Sequence, residues 1–371
     1  MAGDYGVRFK NWVKSAPSWA RMPLVLAWPL WLRVRWLLRD RWKQPSFYCR
    51  ALAGLSDYNI CINSDMTVSC NCQDYSGQGH IGDLRQQTLT EVFGGNRVRT
   101  FQEMLLRGEY PTDVCVHCAE LLPRPEGMQL ETIFPGSAPR SGLMVENTAR
   151  CNLSCDMCDR KGILAQRSQV SLSLSDIADI AQILHEHHVA RIYYFNLGEP
   201  FLSPHILEEL QTIRAINPGI EIRTSTNGVL LEGEDKIEAA LMMDHIAVSL
   251  DGVDQQTAEQ YQRGTDFERA LRNLTALTRA RAERGQVRHG VNLPVIEWKY
   301  VLFRWNNSSR HIRKAIVLAQ EAGVDLIEFY PGSAPRRLES RRHPFDASLR
   351  EAEWRSDGSA AVRLSTRAKG Q

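Results

Sequence analysis

Between residues 141 and 335 short apolar runs alternate with longer amphipathic ones. Runs of strand length lie at Leu143 to Asn147, Arg191 to Asn196, Ile220 to Thr224, His245 to Ser249, Val295 to Phe303 and Leu326 to Tyr330. The segments between them repeat apolar residues every three or four positions, as a helix buried along one face requires. Ile177, Ile180 and Leu184 form such a stripe behind a Ser175 cap, and Leu207, Leu210 and Ile213 form another behind Ser203-Pro204. Phe267, Leu271, Leu274 and Leu277 line a third helix, while Ser309 and Gly323 bracket a fourth. Strands alternating with helices predict parallel βα units and an α/β fold. The stripes are core packing and carry no chemistry.

The pattern divides the rest of the chain. Residues 48–122 read as a small cysteine-rich α+β module: Tyr58 to Ser69 alternates as two short strands turning at Asn63-Ser64-Asp65, and a helical insert follows at Thr88 to Arg107. A linker at 123–140 holds Pro123, Pro125, Pro135 and Pro139, and the tail at 336–371 is charged and reads as irregular. The hexapeptide Pro-Gly-Ser-Ala-Pro-Arg occurs at Pro135 to Arg140 and at Pro331 to Arg336. It is too short for a repeat unit, and both copies read as turns.

Composition changes the picture in two places. The chain of 371 residues is 43% hydrophobic, enough for a barrel-sized domain and a smaller one. Its nine cysteines cluster as CxC, CxxC and CxxxCxxC, which points to metal in a reducing compartment and to a cytoplasmic protein. The net charge of +2 hides a local excess: residues 1–43 hold nine Lys or Arg against Asp4 and Asp40, with six of the nine tryptophans. The apolar stretch Met22 to Leu32 is interrupted by Pro23 and Pro29 and is too short to span a bilayer, which needs about twenty residues. The 1–47 leader therefore reads either as an amphipathic segment on an anionic membrane surface or as a helix packing its tryptophans on protein. No nucleic-acid partner is expected.

The chemistry concentrates in Cys151-Asn-Leu-Ser-Cys155-Asp-Met-Cys158. Three thiolates at this spacing suit a [4Fe-4S] cluster and leave one iron open. The segment resembles the signature loop of the radical S-adenosylmethionine (radical SAM) superfamily, which implies a partial (βα)6 TIM-type barrel over 141–335 and S-adenosylmethionine on the open iron. Further segments match in register with successive strand ends: Gly198-Glu199-Pro200, Ser225-Thr226-Asn227-Gly228 and Ser249-Leu250-Asp251-Gly252. By resemblance Glu199 receives the methionyl amino group, and Gly198 and Pro200 complete that contact. Ser225, Asn227, Ser249 and Asp251 reach the ribose and carboxylate, and Arg263 lies near the carboxylate. Met157 stands where the family often has an aromatic residue. An electron donor such as a flavodoxin or ferredoxin is implied as partner.

Cys70-Asn-Cys72, Asp74-Tyr75-Ser-Gly77, Ile81-Gly82-Asp83-Leu84 and Cys115-Val-His-Cys118 resemble a SPASM-type auxiliary-cluster module, here placed before the barrel rather than after it. The resemblance implies an auxiliary [4Fe-4S] cluster on Cys115 and Cys118 plus two of Cys49, Cys70 and Cys72; structural zinc on the same residues is the competing reading. Cys61 is read as a hydrogen donor to a substrate radical or as a buried strand cysteine. Glu146 and Glu328, on the first and sixth strands, either bind substrate or pair structurally. His185-Glu-His187-His188 lacks a metal-binding spacing and reads as a solvated helix end. Together these readings give a radical SAM enzyme that abstracts hydrogen from a substrate carbon, epimerising or oxidising a membrane-linked or cell-envelope saccharide. The alternatives are a ribosomal-peptide maturase and a non-catalytic iron–sulfur redox or assembly protein.

Overall fold

The computed structural model describes residues 46–129, 136–288, 291–331, 352–354 and 359–364. The leader at 1–45 and the copy of the hexapeptide after Pro331 lie outside the described residues.

Six parallel strands run in chain order: β6 (Leu143–Val145), β7 (Arg191–Tyr193), β8 (Glu221–Thr226), β9 (His245–Ser249), β12 (Val295–Leu302) and β13 (Leu326–Pro331). Sequential parallel order is the topology of a (βα) barrel. Pairing of the described strands ends at His80–Asp83 on one edge and Glu353–Trp354 on the other, so the barrel is partial. Along these strands Ile192, Ile222, Ile246, Val248, Ile296, Trp298, Ile327 and Phe329 are buried in the core. The alternate residues Tyr193, Arg223, Ser225, Ser249, Lys299 and Tyr330 are half-buried on the opposite, concave face.

The helices between the strands bury the expected stripes. Ser173, not Ser175, caps Leu174–Glu186, because its hydroxyl and the Asp176 carboxylate form a reciprocal capping box. Ser308, rather than Ser309, caps the helix Ser309–Ala322, which ends on Gly323 at φ 76°. The helix after Ser203-Pro204 begins at Ile206. A short hairpin, β10 (Gln286–Arg288) with β11 (Val291–Leu293), stands before β12, where the sequence pattern gave no strand.

Two additions extend the sheet. β2 (Cys61–Ile62) of the cysteine-rich module pairs parallel with β6, and β3 (Thr67–Ser69) and β4 (His80–Asp83) follow antiparallel. The module and barrel therefore share one sheet. At the far edge β15 (Ala360–Arg363) pairs antiparallel with β13, and β14 (Glu353–Trp354) with β15, so part of the tail expected to be irregular is strand. The helical insert is two helices, Leu89–Gly94 and Asn96–Leu106. A ribbon of β1 (Phe47–Cys49) with β5 (Leu121–Pro123) brings the two ends of the module together. No described helix is long and apolar enough to cross a membrane.

Candidate active site

The loop leaving β6 carries Cys151, Cys155 and Cys158 and is held on three sides. From below, Glu199 N–H donates to Arg150 O at 2.8 Å. A Cβ on Gly198 would lie 1.8 Å from Thr148 O, so only glycine lets the two strand-end loops approach this closely. From the side, Ser154 N–H donates to Arg263 O at 3.0 Å and Asp156 N–H to Tyr261 O at 3.2 Å. From above, the Asn227 amide donates to Asn152 Oδ1 at 2.9 Å and reaches Cys151 Sγ at 3.9 Å. Leu153, fully buried, anchors the loop, and its N–H points at Cys151 Sγ at 3.4 Å.

Burial pushes the Cys155 thiol up to about 12, and the nearby sulfurs of Cys151 and Cys158 push in the same direction. Burial also raises Cys151. Thiols that resist ionising are stabilised as thiolates by a cationic metal group, and the chain supplies three cysteines and no fourth in this loop. The donor set thus fits an iron–sulfur cluster with one iron free of protein.

Each strand-end residue has a definite place. Glu199 is 2% exposed; its carboxylate accepts from the Thr226 hydroxyl at 2.6 Å, Asn227 N–H at 2.8 Å and Phe201 N–H at 3.2 Å. It clamps the ends of β7 and β8 together, a role the resemblance did not indicate. Pro200 opens the single 3-10 turn that follows and is itself buried. Ser225 and Ser249 bring their hydroxyls within 3.4 Å across neighbouring strand ends. Asp251 is buried, accepts from Val301 N–H at 2.7 Å, and has its carboxyl pushed up to about 7 by burial. Arg263 sits at the cysteine loop. It is exposed and forms a two-pronged pair with Asp156 inside the cysteine loop, with both contacts at 3.0 Å.

The substrate candidates fare differently. Glu146 is fully buried and bound by Arg167 Nε at 2.7 Å, Asn196 Nδ2 at 3.0 Å and Ser64 N–H at 3.2 Å. Arg167 and Asn196 were not legible as its partners. Glu328 is also fully buried and accepts from the Ser359 hydroxyl. Cys61 shares a face with Met144 of β6, lies 3.7 Å from Asn196 Nδ2, and is 0% exposed; burial first, then Glu146, keeps its thiol protonated. The His185 to His188 run ends the helix Leu174–Glu186, and His185 and His188 are exposed.

In the module, Cys49, Cys70, Cys115 and Cys118 line one cavity with Leu52, Phe101 and other apolar residues, whereas Cys72 does not. Asn71 Nδ2 donates to Cys118 Sγ at 3.2 Å, and Thr112 and Cys115 lie 3.1 Å apart. Cys72 turns instead to Asn59 Oδ1 at 3.5 Å. Among the described residues no three Cys, His, Asp or Glu side chains converge as a single metal ion needs.

Residues 145–296 match the family model described as Radical SAM superfamily. A probable GTP 3′,8-cyclase of Methanothermobacter thermautotrophicus is 30% identical over 138 residues, 37% of this chain and 44% of that protein. A GTP 3′,8-cyclase of Mycobacterium marinum is 30% identical over 140 residues, 35% and 39% of the two chains. The chain thus spans less than half the length of these curated relatives. Among solved structures, native anSMEcpe with bound AdoMet aligns with a TM-score of 0.39 at 16% identity, covering 53% of this chain and 54% of that one. The family match begins in β6 and takes in all three cysteines of the clamped loop together with Gly198, Glu199, Asn227 and Asp251, so the likeness to the radical SAM superfamily spans the loop and the strand ends that hold it.

Proposed function

We propose that the protein is a radical SAM enzyme that reductively cleaves S-adenosylmethionine and abstracts hydrogen from a substrate carbon. The observation that carries the reading is the clamping of the three-cysteine loop between Gly198-Glu199, Asn227 and the 261–263 segment. When bound, the groups these residues fit supply an electron, a 5′-deoxyadenosyl radical and, at the module, a one-electron acceptor or donor. The chain's own part is to hold the reactants in line. Glu199 fixes Asn227 beside Cys151, and Gly198 lets the methionyl-binding loop sit against the cysteine loop. Ser225 and Ser249 offer paired hydroxyls to a ribose.

Cys49, Cys70, Cys115 and Cys118 are the ligands we propose for an auxiliary cluster. Oxidation of the substrate is favoured over epimerisation, because epimerisation needs a hydrogen returned from a thiol that substrate can touch, and Cys61 is fully buried. The saccharide reading rests on the leader, outside the described residues, so a membrane-lipid fraction, a soluble extract and GTP, the substrate in the relatives' names, are assayed side by side. The test is 5′-deoxyadenosine release by anaerobically reconstituted, reduced protein in D2O. Release that Cys155→Ala abolishes while module iron stays bound is the expected result. No release under any condition would return the chain to the non-catalytic reading.

A further inference from the structure

The concave face of the sheet carries charges that the reaction above does not use. Packed barrel interiors are filled by branched apolar residues. Here Ser225 pairs with Ala247 and Ser249 with Lys299 across neighbouring strands, so the middle of the face carries three small side chains in place of branched apolar ones. Tyr193 and Arg223 lie side by side on one flank; on the other, Lys299 is in register with Glu328, which the Ser359 hydroxyl engages, and its ammonium lies near the Tyr330 ring.

The carboxylates on this face are engaged. Glu221 accepts from Nε of both Arg191 and Arg223 at 2.6 Å, and Glu297 lies 3.3 Å from His245 Nε2 and accepts from the Tyr330 hydroxyl at 3.1 Å. The cations have donors to spare. Arg223 uses only Nε, and its two terminal nitrogens have no hydrogen-bond partner among the described residues. Lys299 has neither ion pair nor hydrogen bond among them, and its ammonium stands 5.2 Å from the centroid of the Tyr330 ring.

Half-buried donors without acceptors are costly, and an anion between them offsets that cost. A guanidinium with both terminal nitrogens free matches a phosphate or carboxylate edge to edge. We propose that Arg223, with Lys299 on the far side of β9 from it, binds an oxyanion carried by the substrate, a phosphate or a carboxylate, while the Tyr193 and Tyr330 rings flank the group that bears it. This inference rests on the radical SAM reading and adds a substrate class to it.

The test is equilibrium dialysis of radiolabelled inorganic phosphate against the anaerobic, iron-loaded full chain at low ionic strength. Saturable binding is expected, undisturbed by glucose. Displacement by equimolar acetate identifies a carboxylate site, and resistance to acetate identifies a phosphate site; either outcome supports the oxyanion class. Arg223→Gln should weaken phosphate binding by at least about tenfold, the value of a lost charged hydrogen bond. Glu221→Gln, which removes the competing carboxylate, should strengthen it, a gain that misfolding would not produce. Absence of saturable phosphate binding, equal binding by Arg223→Gln, or displacement by glucose would overturn the proposal. Release of 5′-deoxyadenosine without substrate, measured on the same wild-type preparation, reports separately on the enzyme reading: its absence alongside Arg223-dependent binding removes that reading and leaves the anion site standing.

Discussion

Replacing Glu199 by Gln keeps the size of the side chain and removes one acceptor. Oε1 of Glu199 takes the Thr226 hydroxyl and Phe201 N–H, and Oε2 takes Asn227 N–H at 2.8 Å. An amide cannot serve both sides, so in either orientation its NH2 faces a buried backbone donor. Losing one charge-assisted bond costs about 2 kcal/mol and orphaning the backbone N–H about 2 kcal/mol more. Part of this returns, because burial already raises the Glu199 carboxyl and a neutral amide is easier to desolvate. The net loss should be about 2 to 3 kcal/mol. The freed Asn227 no longer fixes the cysteine loop, and a displacement of about 1 Å there should lower 5′-deoxyadenosine release about 100-fold. Urea midpoints of the metal-free chain and single-turnover release from the reconstituted chain measure the two effects. An unchanged midpoint with lost release would refute the clamp and assign Glu199 to direct cofactor contact.

The other predictions concern neighbouring parts of the same framework. Gly198→Ala must move Thr148 or Arg150, so the reconstituted variant should lose iron at the Cys151 loop and keep it in the module; full iron content would show that the close approach is dispensable. Cys70→Ser should remove roughly half the iron, whereas Cys72→Ser should leave it intact, and the reverse result would reassign the module ligands. Asp156→Asn and Arg263→Gln should lower cofactor affinity to the same extent, because the two side chains act as one pair; an effect confined to Arg263→Gln would assign that arginine to the cofactor directly. Burial lifts Asp251 from 3.8 to about 7, so between those values the folded chain holds a proton that the unfolded chain has lost. Stability should therefore fall as pH rises through that window, and Asp251→Asn should flatten the profile of melting temperature against pH; parallel profiles for the two proteins would contradict it.

What was legible in the sequence was local. The six parallel strands were readable because their outward residues, such as Ile222 and Trp298, are apolar at every second position, and the cysteine loop because its spacing is self-contained. Caps slipped by one or two residues where serines crowd together: Ser171, Ser173 and Ser175 crowd the start of the helix, and only Ser173 has an Asp three positions on to complete the box. Partnerships between distant segments were hidden. Nothing near Glu146 announces Arg167 or Asn196, and Arg263 looks like a free cation until the fold places Asp156 against it. The tail strand Ala360–Arg363 is masked by its charged surroundings and exists because β13 offers an open edge.

The same open-edge logic explains how a module placed before the barrel keeps its cysteines near those of the barrel loop. β6 is the first barrel strand, and its outer edge would be unpaired if β2 did not run parallel to it from Cys61. A strand arriving from the N-terminal side satisfies that edge without crossing any later connection. The loop after β3 then reaches back over the barrel. Cys70 at its start lines the module cavity, while Tyr75 packs over Gly162 in the helix Arg160–Gln166 that leaves Cys158; a Cβ at Gly162 would lie 3.1 Å from Tyr75 O. One ten-residue stretch thus touches both sites. Gly162→Val should displace Tyr75 and slow electron exchange between two iron centres while each remains loaded; exchange unchanged by that substitution would show that the contact is packing alone.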